Sequence, residues 1–299
     1  MGPSLTTEER TRGLILGICA YGAWGLMPLY FSMVRDVPPI EMLFQRVIWS
    51  FLFLIVLLIA LGKFSAFSSL WMKPRLVAML ALTAFLISCN WLLYIISAST
   101  RQIQQASVGY YLSPLLSVLL GRMVLLEPMR TSQWVSFFLA LSGAMLLTMS
   151  IGRLPVLALG LAATFSLYGL FRKLAPVDAV IGLAAETAIL FPIGLGGILT
   201  LGGGGFISGI ETGLSAWVAA SGVITIVPLL LFIASSRRIP LVLIGFFQYL
   251  SPTIQFLLAV FVLREDWDHS RFHGYLLIWA GLILFSIDAL VESTRKVPS

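Results

Sequence analysis

Long apolar runs, separated by short polar or glycine-rich stretches, follow one another along almost the whole chain. Most of them hold about twenty residues, the helix length that crosses roughly 30 Å of hydrocarbon at 1.5 Å per residue. The pattern therefore predicts ten membrane-spanning helices. They lie at about residues 13–33, 40–61, 76–99, 104–126, 132–150, 154–171, 179–201, 213–235, 240–263 and 272–291.

The composition changes this picture only by excluding a soluble protein. Of 299 residues, 59% are hydrophobic and 11% are charged, whereas soluble domains carry about 25% charged residues. So few charges cannot cover the surface of a globule in water. We therefore predict an all-α polytopic membrane protein in contact with membrane lipid. Its net charge of +6 is attributed to loop residues and not to nucleic-acid binding.

Lysines and arginines are distributed unequally between the two predicted sides of the membrane. With a cytoplasmic N-terminus, 12 of the 19 fall in cytoplasmic segments, five fall on the opposite side and two, Arg46 and Arg122, fall within spans. Arg172 and Lys173 are counted here as loop residues after span six. Because cytoplasmic loops carry the excess of positive charge, both termini are predicted to be cytoplasmic.

A short motif occurs twice along the chain. Residues 111–114 read YLSP, and the same four letters stand 138 positions later at 249–252; Glu127 and Glu265 each follow the proline by 13 residues. Two related halves of five spans each, residues 1–150 and 151–299, explain this better than chance similarity of leucine-rich helices. Because five is odd, the second half is inverted, an arrangement typical of secondary transporters. The two glutamates are predicted to be gate or helix-end residues at opposite membrane faces.

The repeated prolines lie near the middle of spans four and nine. Proline lacks an N–H, so the carbonyls four residues earlier, those of Tyr110 and Gln248, are predicted to leave the helical ladder. Such carbonyls are tolerated at membrane depth when they are buried in protein or face a wet cavity. A substrate cavity between the two helices is one interpretation, and a kink that only improves packing is the other. The candidate substrate-binding residues of this region are Tyr110, Tyr111, Ser113, Pro114, Gln248, Tyr249, Ser251 and Pro252.

Five further candidate substrate-binding residues lie within the predicted spans: Glu41, Arg46, Asn90, Trp91 and Glu186. Charges near the bilayer centre cost at least a few kcal/mol and need a partner or water. Glu41 and Arg46 lie five positions apart on one helix and do not share a face, so we predict a pair between Arg46 and Glu186, on the repeat-related spans two and seven. Glu186 either binds a coupling proton or belongs to a static ion pair that fixes the helix register. Asn90 and Trp91 either line the cavity or join helices.

Other chemistry finds little support in the sequence. His269 and His273 are four residues apart but have no acidic or cysteine partners nearby, so neither a metal site nor a cofactor is predicted. A membrane-embedded enzyme and a channel remain alternatives to a transporter. No nucleotide-binding, metalloprotease or nucleophile motif supports the enzyme, and the sequence is interpreted as non-enzymatic.

Several stretches together resemble the RarD proteins of the drug/metabolite transporter superfamily. They are RVIWSF (46–51), NWLL (90–93), ASVGYYLSP (106–114), YGLFRK (168–173) and GFFQYLSPTIQFLLAV (245–260). The resemblance covers nearly the whole chain. It implies two EamA-type five-helix repeats, an inner-membrane location and secondary transport of a small metabolite or drug-like solute. It identifies no substrate and no established set of binding residues.

Overall fold

The computed structural model describes residues 7–34, 37–99, 103–149, 155–200, 212–262 and 272–295. Within these ranges the chain forms thirteen α-helices and no β-strand. The helices are α1 (Thr7–Gly25), α2 (Met27–Met33), α3 (Pro39–Ala60), α4 (Phe64–Leu70), α5 (Pro74–Ser99), α6 (Ile103–Met123), α7 (Thr131–Met149), α8 (Val156–Leu174), α9 (Ala179–Thr200), α10 (Thr212–Ser236), α11 (Leu241–Gln248), α12 (Leu250–Leu257) and α13 (Phe272–Arg295).

Most of these helices have the length and hydropathy of membrane spans. Seven segments are long and apolar enough to cross a bilayer, and Leu241–Leu257 and Phe272–Asp288 are shorter apolar helical segments. Helix α6, with 21 residues, takes the place of the predicted fourth span. The prediction of an all-helical, multi-pass membrane protein is therefore confirmed for the described residues. The number of ten spans stays a prediction.

The distribution of polar side chains is that of a protein in lipid. Large apolar side chains such as Val56, Phe85 and Met149 point outward, whereas Arg172 and Glu186 are buried. Hydrocarbon solvates apolar surface but offers no hydrogen bonds. Buried polar side chains therefore need partners within the bundle, and several of these partners lie on neighbouring helices.

The most extensive helix contacts join a helix that precedes residue 150 to one that follows residue 154. These pairs are α7–α13, α6–α8, α3–α9, α3–α10, α6–α11, α1–α10 and α5–α8. Glycine permits close approach at two of them. A Cβ at Gly222 on α10 would lie 2.5 Å from the Trp49 carbonyl carbon on α3, and one at Gly245 on α11 would lie 2.8 Å from the Pro114 oxygen on α6. Small residues at helix crossings are typical of membrane bundles.

The two proline-containing spans differ in a way that the sequence did not predict. The ninth span is not one helix over 240–263, because α11 ends at Gln248, α12 begins at Leu250 and a π-helical turn follows over Leu258–Val262. The break coincides with the carbonyl that Pro252 cannot bond. Pro114, by contrast, lies inside the uninterrupted α6.

Side chains of other helices supply hydrogen bonds around Pro114. The Tyr249 hydroxyl donates to the Tyr111 carbonyl over 3.2 Å, and the Ser166 hydroxyl donates to the Ser113 carbonyl over 2.9 Å. Two carbonyls next to Pro114 thus accept hydrogen bonds from side chains of neighbouring segments, which tie this part of α6 into the bundle.

Some sequence-based predictions fall outside the described residues. They concern Glu265 and His269. His273 is described and lies in the first turn of α13.

Candidate functional site

A cavity of about 600 Å³ lies among the helices. Its wall takes residues from α1, α2, α3, α5, α6, α8, α10, α11 and α12, and it extends to Val34 and Val37 in the connection between α2 and α3. Most long helices contribute from the half that lies toward that connection, as α5 does with Ile87 to Tyr94, whereas Thr225 and Leu229 lie just beyond the middle of α10. The cavity therefore lies mainly toward one end of the bundle. Its volume falls within the range of about 300–1,000 Å³ that is typical of small-molecule pockets.

Eight of the thirteen candidate residues line this cavity. They are Arg46, Asn90, Trp91, Tyr110, Ser113, Gln248, Ser251 and Pro252. The structure thus brings together residues from both copies of the YLSP motif and from spans two and three. The other five candidates, Glu41, Tyr111, Pro114, Glu186 and Tyr249, are not on the cavity wall.

Arg46 is held between aromatic rings and a threonine. Its Nε donates to Thr225 Oγ1 over 3.0 Å. The guanidinium carbon lies 4.9 Å from the centroid of the Trp91 ring and 5.9 Å from that of Phe31. Both distances are within the range of cation–π contacts. These three neighbours belong to three other helices, so Arg46 is fixed in place on the wall.

Other polar side chains on the wall also join helices. Asn90 donates from Nδ2 to the Leu161 carbonyl and to Thr164 Oγ1, both over 2.9 Å, and Gln248 donates to Ser117 Oγ over 2.7 Å. Ser251 donates to the Tyr21 carbonyl over 2.6 Å. For Asn90 both interpretations of the sequence therefore hold, because it lines the cavity and joins α5 to α8.

The predicted pair between Arg46 and Glu186 is wrong. Glu186 Oε1 lies 3.3 Å from Nε of Arg172, with side-chain exposures of 1% and 0%, and accepts a hydrogen bond from Thr83 over 2.6 Å. Tyr168 donates to Glu186 Oε2 over 3.3 Å. The sequence pattern places Arg172 in a loop after residue 171, whereas α8 continues to Leu174 and holds Arg172 beside Glu186. Arg172 is therefore the basic partner of Glu186, and Arg46 does not pair with it.

The end of the bundle opposite the cavity is closed by polar contacts. The Glu127 carboxylate, just after α6, accepts hydrogen bonds from the backbone N–H groups of Leu241 over 2.8 Å and Val242 over 2.9 Å. This carboxylate caps the first turn of α11, where backbone N–H groups lack helical partners. Lys173 lies 3.3 Å from Glu127 and donates to the carbonyl of Ile239 over 2.6 Å. Glu127 is thus a helix-end residue that ties α6, α8 and α11 together.

A second polar contact lies at the same end. The Lys63 ammonium is 2.9 Å from Asp178, in the connection between α8 and α9. Burial acts to raise the pKa of Asp178, but the Lys63 ammonium and the N–H groups of Ile181 and Val180 outweigh it and hold the pKa below its ordinary value. Both side chains are more than one third exposed, so the pair contributes little to stability.

Sequence reasoning missed several cavity residues. Trp24, Phe31, Tyr94, Thr225 and Gln255 line the cavity but were not among the candidates. Tyr94 follows Asn90 by four positions, so its place on the same helix face could have been predicted. Thr225 has no comparable signal, because its position depends on how α10 packs against α3.

Comparisons with known proteins match this architecture. Residues 11–149 match the model of the EamA-like transporter family. An uncharacterized transporter of Pseudomonas aeruginosa is 38% identical over 98% of this chain and 99% of its own length. Protein RarD of Escherichia coli is 36% identical over 97% of this chain and 99% of its own length. The chain belongs to the RarD family of EamA-type transporters.

A further RarD relative and a solved structure are also similar to this chain. Protein RarD of Streptomyces exfoliatus is 37% identical over 97% of this chain and 92% of its own length. A crystal structure at 18% identity has a TM-score of 0.68 and covers 92% of this chain and 97% of that one. At that identity the likeness shows the fold alone. The RarD relatives and the apolar helices together support a multi-pass membrane protein of a transporter family.

Proposed function

We propose that this protein is a secondary transporter that moves a small solute across the inner membrane by alternating access. The observation that carries the proposal is the one-sided cavity: about 600 Å³ of space on one side, and the contacts of Glu127 and Lys173 on the other. A transporter that alternates between two states has its central site connected to one side at a time. A channel in its conducting state has a continuous path across the membrane. The closed end of this bundle interrupts such a path and therefore favours a transporter over a channel.

Helix packing supports two exchangeable repeats over residues 1–150 and 151–299. If spans one to five correspond to spans six to ten, α1 corresponds to α8, α3 to α9, α5 to α10, α6 to α11 with α12, and α7 to α13. The contacts α3–α9, α6–α11 and α7–α13 then join equivalent helices, and α1–α10 corresponds to α5–α8. The contact pattern is thus preserved when the halves are exchanged. The family match over residues 11–149 coincides with the first repeat.

We further propose cytoplasmic termini and a cavity that faces away from the cytoplasm. Lys173, Arg237 and Arg238 lie at the closed end, and cytoplasmic segments are rich in such residues. Transport is driven by a gradient of the solute or of a coupling ion, because the sequence contains no nucleotide-binding motif. Fusions of a reporter that is active on only one side of the membrane to the C-terminus test the orientation.

The transport proposal is tested by uptake and counterflow in proteoliposomes. A panel of metabolites and drug-like solutes is offered with and without proton and sodium gradients. We expect the full-length chain to move at least one solute class, with saturation and with acceleration by solute on the opposite side. Failure to move any solute under any gradient would contradict the proposal, and linear, non-saturating flux would indicate a channel.

A matched pair of variants links transport to the cavity. Leu43 lines the cavity on α3, and Leu52 points outward from the same helix. Leu43→Trp fills part of the cavity and should lower transport at least tenfold, whereas Leu52→Trp should leave it near the wild-type rate. Equal rates for the two variants would show that solute does not pass through this cavity.

A further inference from the structure

Arg46 differs from every other described residue on the cavity wall because it carries a charge. The remaining lining residues that the structure describes are aromatic, aliphatic or neutral and polar. Arg46 lies seven residues after the first residue of α3, Pro39, or about 10 Å along the helix. The cavity is therefore a mostly apolar chamber with one fixed positive charge inside the bilayer.

The charge of Arg46 is not neutralised by the described part of the chain. No carboxylate there lies within ion-pair distance of it, and its one hydrogen bond runs from Nε to Thr225. Its two terminal nitrogens have no hydrogen-bond partner among the described residues and are not among the enclosed polar atoms. Arg172, the other arginine deep in the bundle, has Glu186 beside it. A cation at this depth costs at least a few kcal/mol unless an anion or water compensates.

The unoccupied edge of the Arg46 guanidinium indicates what kind of ligand would compensate its positive charge. Trp91 and Phe31 lie near the planar group, and Thr225 holds Nε. The terminal nitrogens are therefore the donors left for a ligand. Two such parallel N–H groups match the two oxygens of a carboxylate or another oxyanion. A fixed arginine with its fork open to a cavity is the arrangement that binds an acid group.

The other walls indicate the rest of the ligand. Trp24, Phe165 and Leu229 offer apolar surface, and the ring centroids of Tyr94 and Tyr110 lie 6.3 Å apart on the wall. No described lining residue carries the carboxylate that an ammonium group would need. One positive charge also balances one negative charge and leaves a dianion uncompensated.

We propose that the transported solute is a small organic monoanion, with its acid group bound to the terminal nitrogens of Arg46 and an apolar or aromatic body between the aromatic side chains of the cavity. This inference rests on the proposed function, since it names the class of solute that the same cavity carries. The anion removes the uncompensated charge when it binds, and the apolar wall contributes the remaining affinity.

The experiment uses solutes that share a body and differ in charge. Benzoate, benzamide and benzylamine form one set; indole-3-acetate, indole-3-acetamide and tryptamine form another. Each is added to the full-length protein in lipid nanodiscs, and the shift in Tm and the Kd are measured. We expect at least one acid to bind and to raise the Tm, while its amide and amine do so at least tenfold more weakly.

Three variants separate binding from folding. Arg46→Gln should weaken acid binding at least tenfold and leave the ligand-free Tm equal to or above that of the wild type, because an uncompensated charge is removed. Arg46→Lys should bind with intermediate affinity, since it keeps the charge but loses the fork. Arg122→Gln, at the exposed end of α6, is the matched control and should bind like the wild type.

Each result decides between the alternatives. The inference is overturned if amides or amines bind as tightly as the acids, if no acid of either set binds, or if acid binding survives Arg46→Gln. A lower ligand-free Tm of Arg46→Gln together with unchanged acid binding would assign Arg46 a purely structural role. Transport of a neutral or cationic solute that acids do not inhibit would overturn the anion class and leave the transporter function intact. Acid binding that depends on Arg46, without transport of any solute, would support the anion site and contradict the transporter function.

Discussion

The buried pair between Arg172 and Glu186 provides the sharpest test of how this bundle is held together. Both side chains are at most 1% exposed, and their charged atoms lie 3.3 Å apart. Removing one partner of a buried pair leaves a charge without compensation and costs about 3–5 kcal/mol, whereas removing both can be nearly neutral. We therefore expect Arg172→Met and Glu186→Gln each to destabilise the protein, and the double variant to lie within about 1 kcal/mol of the wild type.

The two single variants should differ in their response to pH. In Arg172→Met the Glu186 carboxylate can escape its unpaired state by taking a proton. Protonating a glutamate whose reference pKa is about 4.3 costs about 3.7 kcal/mol at pH 7, and about 1.4 kcal/mol less for each unit by which the pH is lowered. In Glu186→Gln the arginine has no such escape, because guanidinium stays protonated. The penalty of Arg172→Met should therefore shrink at pH 6, and that of Glu186→Gln should not.

The assay is reversible unfolding in mixed detergent micelles at pH 7 and pH 6, followed by loss of helical circular dichroism. Lys63→Met is the control, because the Lys63–Asp178 pair is 36% and 41% exposed and should change stability by at most about 1 kcal/mol. If the double variant is no more stable than the less stable of the two single variants, the pairing is refuted. An equal pH response of the two single variants would refute the proton escape.

Three further predictions concern packing, helix capping and pH. Gly222→Ala should cost about 1–3 kcal/mol by overpacking against the α3 backbone, whereas Gly196→Ala, with no atom within 4 Å of the added Cβ, should cost nothing in the same unfolding assay. Glu127→Gln should speed hydrogen exchange of the backbone amides at positions 241 and 242, which lose a charged acceptor; unchanged exchange would contradict the capping role. Asp178 has a lowered folded-state pKa, so its contribution is present above the ordinary value of 3.8 and is lost as the pH falls through the lower folded value. The difference in Tm between wild type and Asp178→Asn should therefore stay constant from pH 7 to pH 5 and vanish only in stronger acid.

The sequence by itself determined the class of the protein and the approximate place of its helices. An apolar run of about twenty residues identifies a membrane helix wherever it packs, because the cost of exposing its backbone to lipid is a local property. It also identified Arg46, Asn90 and Trp91 as cavity candidates, since polar groups within apolar runs require a wet or paired environment. All three line the cavity.

The two copies of YLSP show what only the tertiary structure decided. The same four letters lie in an unbroken α6 and directly at the break between α11 and α12. The surroundings of each copy depend on which helices lie beside it: hydroxyls of Ser166 and Tyr249 reach the Ser113 and Tyr111 carbonyls beside Pro114. The partner of Glu186 was undetermined for the same reason. Any basic side chain at the same depth on an adjacent helix could have served, and which helix is adjacent is a property of the folded bundle and not of any one span.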